Sequence, residues 1–432
     1  MRIATEMSLD GTVREGGAYV FVLGNIAHEK YIVIDFTATS LTEVVERRRR
    51  APMKSLTRVP LLSSSPRQQR RSQWWNAECP HPTTERPIPA RLSFAAFSSS
   101  SPAGAAAISA SAAKPVVVVG SANADIYVEI DRLPLEGETI AARAGQTLAG
   151  GKGANQACCG GRLDYPTYFV GQIGDDAHGR LIEDALRGGG VRLDRLARVS
   201  SAPTGHAVVM LQSDGQNAII IVGGANMSCW PEDPRDEDLE VVRSAGVLLL
   251  QREIPDRVNI QVAQAAKGAG VPVILDAGGM EAPVPDGLIK LVDIFSPNET
   301  ELARLTGMPT ETFEQISHAA RRIHEKGVKK VLVKLGAKGS ALFIEGEDPI
   351  AQPIIPASEV LDTTGAGDTF TAAFAVALVE CKPMKECLKF AAAAASLCVQ
   401  VKGAIPSMPD RAAVVELLQS LQADAATKLM DT

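Results

Sequence analysis

The sequence predicts an α/β protein, a three-layer α/β/α sandwich with a small extra β-sheet, and three observations carry that prediction. From Lys114 onward short apolar runs alternate with helical stretches, without a linker-like break. Two segments interrupt the rhythm with an alternating, hairpin-like pattern. The first 113 residues have neither habit and read as an appendage. Although 432 residues would allow two or three domains, the unbroken alternation favours one large body over residues 114–432.

The elements follow in order. Val116–Gly120 is a buried strand that runs out into Asn123 and Asp125. Ile126–Thr147 and His206–Val222 alternate apolar and polar residues, the second around a Ser213-Asp-Gly-Gln turn, as expected of an exposed sheet. Val247–Leu250, Val271–Leu275, Asp293–Phe295 and Lys330–Lys334 are short apolar runs of the kind that form buried parallel strands. Asp256–Gly268 and Glu311–Lys326 are helical stretches between them, and Thr371–Glu380 reads as a buried helix. That succession layers helices on both faces of a sheet. No internal repeat is evident.

Three segments carry chemistry. Asp362-Thr-Thr-Gly-Ala-Gly-Asp-Thr-Phe370 sets Gly365 and Gly367 at the entry to a helix, where free N–H groups and the helix dipole favour an anion. Asp368 stands at the same point, placed to remove a proton while a phosphoryl group is held. Taken alone, G-A-G-D reads equally as a Gly-rich turn with Asp368 as a helix cap. Gly150-Gly-Lys-Gly-Ala-Asn-Gln-Ala157 again leads from a strand into a small-residue helix; its glycines permit close backbone approach, and Lys152 and Asn155 offer hydrogen bonds. It is not a Walker A loop. Asn123 and Asp125 lie where open α/β sheets place their ligands, beyond the carboxyl end of a central strand.

Together these segments closely resemble the ribokinase (PfkB-type) carbohydrate kinase family over roughly Lys114 to the C-terminus, in both signatures and in their order. Fructokinases of the family look more like G-G-A-P-A-N at the first signature, so the N-A-D and G-G-K-G-A-N pairing resembles the ribose-phosphorylating branch. The resemblance implies a ribokinase-like fold whose small β-sheet is a lid over the sugar, near 126–147 and 206–222. It implies ATP-dependent phosphorylation of D-ribose at O5, salvaging ribose from nucleoside breakdown, and a homodimer joined through the lid.

The resemblance also assigns roles. Asp368 matches the catalytic base, with Gly365, Ala366 and Gly367 holding the transferring phosphoryl through backbone N–H groups. Asn123, Ala124, Asp125, Gly151, Lys152, Gly153, Ala154, Asn155, Glu253 and Asp368 match sugar-binding positions. Glu253 reads also as an ordinary exposed loop acid. Asn298 and Glu301 match an N-x-x-E element near the phosphates and the water shell of Mg²⁺, and read as a capping box as well. Lys334, Leu335, Gly336, Ala337, Lys338 and Gly339 match the stretch that lines the adenine nucleotide, completed at the phosphates by Gly367 and Asp368. Ala392 departs from a histidine found beside the adenine in some bacterial members. An activating K⁺ would use Asp362, Thr364, Cys398, Val401, Gly403 and Ser407, several through carbonyls. The implied cofactors are therefore ATP, Mg²⁺ and K⁺.

Residues 53–113 are rich in Ser, Ala, Pro and Arg, with Glu78 and Glu85 as their only acids, which is transit-peptide composition. The Ser-rich runs favour a plastid, and chloroplast stroma is the expected location, with the cytosol as the alternative. Residues 1–52 lack that character and are expected to be an unstructured upstream extension; a disordered regulatory extension is the other reading of the N-terminus. Charge divides the chain in the same way: 1–52 balance and 53–113 carry +5, so the remainder carries −11 to reach the net −6. So acidic a body is a poor nucleic-acid binder. No apolar run reaches the roughly 18 residues of a spanning helix, so no membrane partner is expected. The seven cysteines lack metal spacing, Cys158, Cys159 and Cys398 on apolar or small-residue helices read as reduced, buried thiols, and the six histidines form no zinc or triad pattern. Two rivals remain: a kinase for deoxyribose, fructose or a pyrimidine nucleoside, and a non-catalytic, fructokinase-like structural protein of plastids, against which the intact Asp368 and glycines stand.

Overall fold

The computed structural model describes residues 19–24, 31–36, 113–213 and 217–430. Strands β1 (Tyr19–Gly24) and β2 (Tyr31–Phe36) pair antiparallel within a separate compact unit, inside the segment 1–52 that was expected to be unstructured. The expected transit-peptide segment 53–113 lies outside the described residues apart from its last one.

The body begins with β3 (Val116–Val119), whose four valines are at most 1% exposed. Each contributes about 1.5–3 kcal/mol by its burial. Next come β4 (Asn123–Ile130), β5 (Ala144–Gly150), helix α1 (Lys152–Arg162), β6 (Thr167–Gly174) and α2 (Ala177–Gly188). Then follow β7 (Arg192–Val199), β8 (Gly205–Gln212), β9 (Asn217–Val222), the short α3 (Ala225–Ser228) and α4 (Asp236–Ser244). The middle of the chain supplies β10 (Val247–Arg252), α5 (Asp256–Gly268), β11 (Val273–Gly279), α6 (Asp286–Ile289), β12 (Ile294–Ser296), α7 (Glu299–Thr306) and α8 (Phe313–His324). The rest is β13 (Lys330–Lys334), β14 (Ser340–Ile344), β15 (Ile350–Gln352), α9 (Ala366–Val379), α10 (Met384–Cys398), α11 (Ala404–Ser407) and α12 (Arg411–Met430).

Nine strands form one sheet in the order β15-β14-β13-β12-β11-β10-β3-β6-β7, parallel except for the β13–β14–β15 edge. Both faces are covered, and the period of two along each strand shows how. Val116, Val118, Val247, Leu249 and Ile274 enter one core with α1, α2, α9 and α10. Val117, Val119, Leu248, Leu250 and Leu275 enter the other with α5 and α8. This is the three-layer sandwich. The second sheet has the order β5-β4-β8-β9, with β4 and β8 parallel and both outer pairings antiparallel. Residues 214–216 of the expected turn lie outside the described residues.

Three boundaries differ from expectation for local reasons. Asn123 and Asp125 do not continue the central strand; after β3 ends they open β4 of the second sheet. Helix α8 starts at Phe313 rather than 311, because Thr312 and Gln315 close a capping box. Helix α9 starts at Ala366, five residues before the apolar stretch, because Gly365 takes a left-handed N-cap conformation at φ 78°. That shift puts Asp368 in the first turn of the helix.

Candidate active site

The carboxyl ends of β3, β10, β11, β12 and β13 meet the first turns of α1 and α9. Gly365 suits its position because a Cβ there would lie 3.1 Å from the Ala404 backbone, in a conformation side chains rarely adopt. The first turn of α9 then carries helix-end N–H groups beside Asp368, which is 5% exposed. Asp368 Oδ2 accepts from Asn155 Nδ2 at 2.9 Å, and Oδ1 accepts from Gln156 Nε2 at 3.2 Å. Lys152 Nζ stands 3.8 Å from Oδ1. The Asp368 charge, opposed by burial and supported by Asp276, Glu253 and Glu301, raises the Lys152 pKa well above the usual lysine value. Lys152 is therefore a fixed cation.

The glycines of the first signature act differently from expectation. A Cβ on Gly151 would meet Asn123 N at 2.7 Å, and one on Gly153 would meet Ser121 N at 2.6 Å. The close approach is thus between α1 and the chain at 121–123, locking together the two segments expected to bind sugar. Ala154 is fully buried in this contact, and Ala124 is buried in β4.

Asn226, a residue that sequence reasoning passed over, brackets the same chain. It accepts from Ala122 N at 2.9 Å and donates to Ala122 O at 3.0 Å, which fixes its amide orientation. Its Nδ2 also donates to Asn123 Oδ1 at 2.8 Å, so Asn123 keeps its NH₂ as the remaining hydrogen-bonding end. Asp125 sits against Gly150, where a Cβ would be 2.1 Å from Oδ2. Burial, with the charges of Glu253 and Asp368, pushes its carboxyl up to about 7. Glu253 is half-buried rather than a free loop acid: its Oε2 accepts from Ser121 Oγ at 2.6 Å and from Lys152 N at 3.0 Å.

Asn298 and Glu301 do form the capping box of α7, through Glu301 N to Asn298 Oδ1 at 2.7 Å and Asn298 N to Glu301 Oε2 at 2.8 Å. Glu301 Oε1 is left over and faces Gly278, where a Cβ would lie 2.9 Å away. A carboxylate oxygen held this way is a hard ligand suited to hydrated Mg²⁺. Gly336, Ala337 and Lys338 form a 3₁₀ turn, closed by Gly339 at φ 95°, with Leu335 buried and Lys338 out at Glu299. Lys334 does not belong with them. Its Nζ turns inward to Asp276 Oδ2 at 2.6 Å. Burial would raise the Asp276 pKa, but Lys334, Lys152 and the Gly278 N–H outweigh it and hold it below the usual value. Asp276 also went unread, although an acid ending the run V-I-L-D of a buried strand is the signal that picked out Asp125.

The loops near α9 bring the expected cation residues together. Asp362 accepts from Thr364 N at 2.9 Å and Gly403 N at 2.8 Å, tying the two loops. Cys398 Sγ lies 3.1 Å from Ser407 Oγ and 3.9 Å from Thr364 O. Val401 has an exposed side chain, so it would contribute its carbonyl. Among the described residues no group of three or more His, Cys, Asp or Glu could hold a metal ion. The oxygen donors here are chiefly carbonyls, which fit a large monovalent cation rather than a transition metal. Cys158, Cys159 and Cys398 are buried free thiols, and burial raises the pKa of each. Ala392 is buried in α10.

Residues 113–411 match the pfkB family of carbohydrate kinases. A ribokinase of Arabidopsis thaliana is 73% identical over 309 residues, spanning 71% of this chain and 82% of that protein. A ribokinase of Bacillus subtilis is 36% identical over 303 residues, 70% of this chain and 99% of that protein. The solved structure of Arabidopsis thaliana ribokinase complexed with ribose and ATP superposes with a TM-score of 0.70 at 73% identity, covering 71% of this chain and 99% of that one.

Proposed function

The chain belongs to the pfkB family of carbohydrate kinases, and we propose that it is a ribokinase, transferring the terminal phosphoryl of ATP to O5 of ribose. The observation that supports this most is the buried Asp368 at the start of α9, held by Asn155 and Gln156 beside the Lys152 cation. The similar Arabidopsis protein, solved with ribose and ATP, supplies the substrate pair.

In this reading ribose lies between the body and the lid. Asn123 donates through its NH₂, and Asp125 accepts from sugar hydroxyls. Asp368 takes the proton of the primary hydroxyl as that oxygen attacks. The N–H groups of Gly365, Ala366 and Gly367 face the charge that spreads over the phosphoryl oxygens. Lys152 places a positive charge beside Asp368. Glu301 and Asn298 lie on the nucleotide side, where Mg²⁺ would neutralise phosphate charge. The loops at Asp362–Thr364 and Cys398–Ser407 would hold K⁺ and thereby fix the first turn of α9.

Initial rates of the full chain with ATP over a panel of ribose, deoxyribose, fructose and pyrimidine nucleosides test the reading. Ribose should be preferred, and K⁺ should stimulate where Na⁺ does so poorly. A preference for fructose or a nucleoside overturns the substrate, and an inert protein favours the structural-protein alternative.

Two further readings accompany it. The edge strand β9 exposes four consecutive residues, Ile219, Ile220, Ile221 and Val222. An apolar edge calls for a partner, and a C2 dimer through the lids would cover both copies. A monomer by light scattering at micromolar concentration speaks against it. The family match begins at residue 113, and the basic, Ser-rich residues 53–113 before it support a plastid address. A fluorescent fusion of 53–113 that stays cytosolic removes that support. Among the described residues no helix is long and apolar enough to cross a membrane.

A further inference from the structure

We propose that Lys334 is a phosphoryl-facing cation aimed by the buried Asp276, and not part of the surface that receives the adenine. The inference rests on the kinase reading above and adds a charge to it.

Asp276 is the fourth residue of β11 and is 0% exposed. Its Oδ2 accepts from Lys334 Nζ at 2.6 Å and from Thr371 Oγ1 at 3.0 Å, while Oδ1 accepts from Gly278 N at 3.0 Å. Three of its roughly four lone-pair directions are thus used inside the protein, and the carboxylate is committed to holding its neighbours. Thr371 is on α9, three residues after Asp368, and its hydroxyl also meets Ser296 Oγ at 3.2 Å. Asp276 therefore joins the catalytic helix to the end of β13.

Lys334 lies among the elements expected to touch phosphate. Its backbone bridges to Asn298, with Lys334 N donating to Pro297 O at 3.0 Å. A Cβ on Gly367 would stand 3.9 Å from Lys334 Nζ. An ammonium so close to the first turn of α9 adds its charge to the helix-end N–H groups there. Carrying three donors, it keeps capacity for an oxygen of the passing phosphoryl after bonding Asp276. Lys152 is linked to Asp276 through charge alone, and its own ion pair is with Asp368. The two cations thus take different posts: Lys152 stands at the base Asp368, and Lys334, bonded to Asp276, stands near Gly367 at the phosphoryl.

The test uses the full chain and three variants, Lys334→Met, Lys334→Arg and the pair Lys334→Met/Asp276→Asn. In Lys334→Met, kcat should fall on the order of 100-fold, as for loss of one preorganised donor, with KM for ribose unchanged. Calorimetry should show AMP binding unchanged and ATP binding weakened, since only the outer phosphates meet Lys334. Lys334→Arg should recover part of kcat. The paired variant leaves no unpartnered buried charge, so it should fold with the wild-type melting temperature and still show the kcat loss. Wild-type kcat in the folded pair overturns the proposal. Equal loss of AMP and ATP binding with unchanged kcat overturns it too, returning Lys334 to the adenine surface. An unmodified chain that phosphorylates no sugar refutes the premise instead, which separates the two failures.

Discussion

Two carboxylates face the candidate sugar site, one from each sheet system, and they are in opposite condition. Asp368, on the body, accepts hydrogen bonds from Asn155 and Gln156 and has the Lys152 ammonium beside it. Asp125, on lid strand β4, receives no hydrogen bond at its carboxyl from the described residues and is lifted from 3.8 to about 7 by burial and by its acidic neighbours. The body thus holds its proposed base by contacts within the protein. The lid holds a polar group whose partners are still to come. In the proposed reaction, preorganisation would belong to the floor and the incentive to bind sugar to the lid, where ribose hydroxyls would supply Asp125 with partners.

Removing the floor carboxylate should give the largest effect. Asp368→Asn keeps shape and can still bond Asn155 or Gln156 through its carbonyl oxygen, but it cannot take a proton. We expect kcat to fall by about 10³–10⁴-fold, with ribose affinity by calorimetry within a few-fold of wild type. Activity near wild type would break the assignment of base chemistry to the floor.

Changing the lid carboxylate should act on binding instead. Asp125→Asn should raise KM for ribose by roughly 10–100-fold, the worth of one or two hydrogen bonds to a charged group, with little change in kcat. The raised pKa adds a signature in pH. Folded without sugar, the acid keeps its proton up to about pH 7, whereas the unfolded chain loses it near 3.8. Its contribution to stability is therefore complete below the unfolded value and is lost as pH rises through about 7, a swing of up to about 4 kcal/mol. The melting temperature of the sugar-free protein should fall more steeply between about pH 5 and pH 8 than that of Asp125→Asn. Ribose affinity should rise over the same interval, because hydroxyl donors favour the ionised acid. Parallel melting curves for the two proteins would show that Asp125 is not buried unpaired.

How much of this contrast was readable beforehand differs between the two regions. The main sheet declared itself because Val116–Val119 are buried throughout and Lys330–Lys334 at its three central residues, and such apolar runs stand out in one dimension. The lid declared itself by alternation, and Asp368 by its glycines. The start of α9 was less legible, since the expected buried stretch begins only at Thr371 and the helix opens on the left-handed backbone of Gly365. Least legible were the residues that aim others. Asn226 meets Asn123 across 103 positions, Asp276 meets Lys334 across 58, and Gln156 meets Asp368 across 212. A lone Asn or Asp in a strand end or a four-residue helix has no spacing to announce its partner. Only the folded contact assigns it.

The smallest effect, and the sharpest on the lid, concerns Asn226. It sits in α3, directly after β9 and the Gly223–Gly224 pair, and its bonds reach the root of β4. Gly205, which opens β8, leaves room for it: a Cβ there would lie 2.2 Å from Asn226 Nδ2 and 2.4 Å from Asn123 Oδ1. Three lid strands therefore converge on one amide pair. Asn226→Asp preserves size but replaces the NH₂ with an acceptor. Ala122 N can still be satisfied, whereas Ala122 O loses its donor and Asn123 must turn its amide over to donate to the new carboxylate. Asn123 would then offer its carbonyl oxygen to the sugar instead of its NH₂. We expect KM for ribose to rise about 10-fold, the cost of one misdirected hydrogen bond, with kcat nearly unchanged because the Asp368 floor is untouched. A fall in kcat with KM intact would mean that the lid root and the floor act as one unit, and the division of labour between the two sheets would fail.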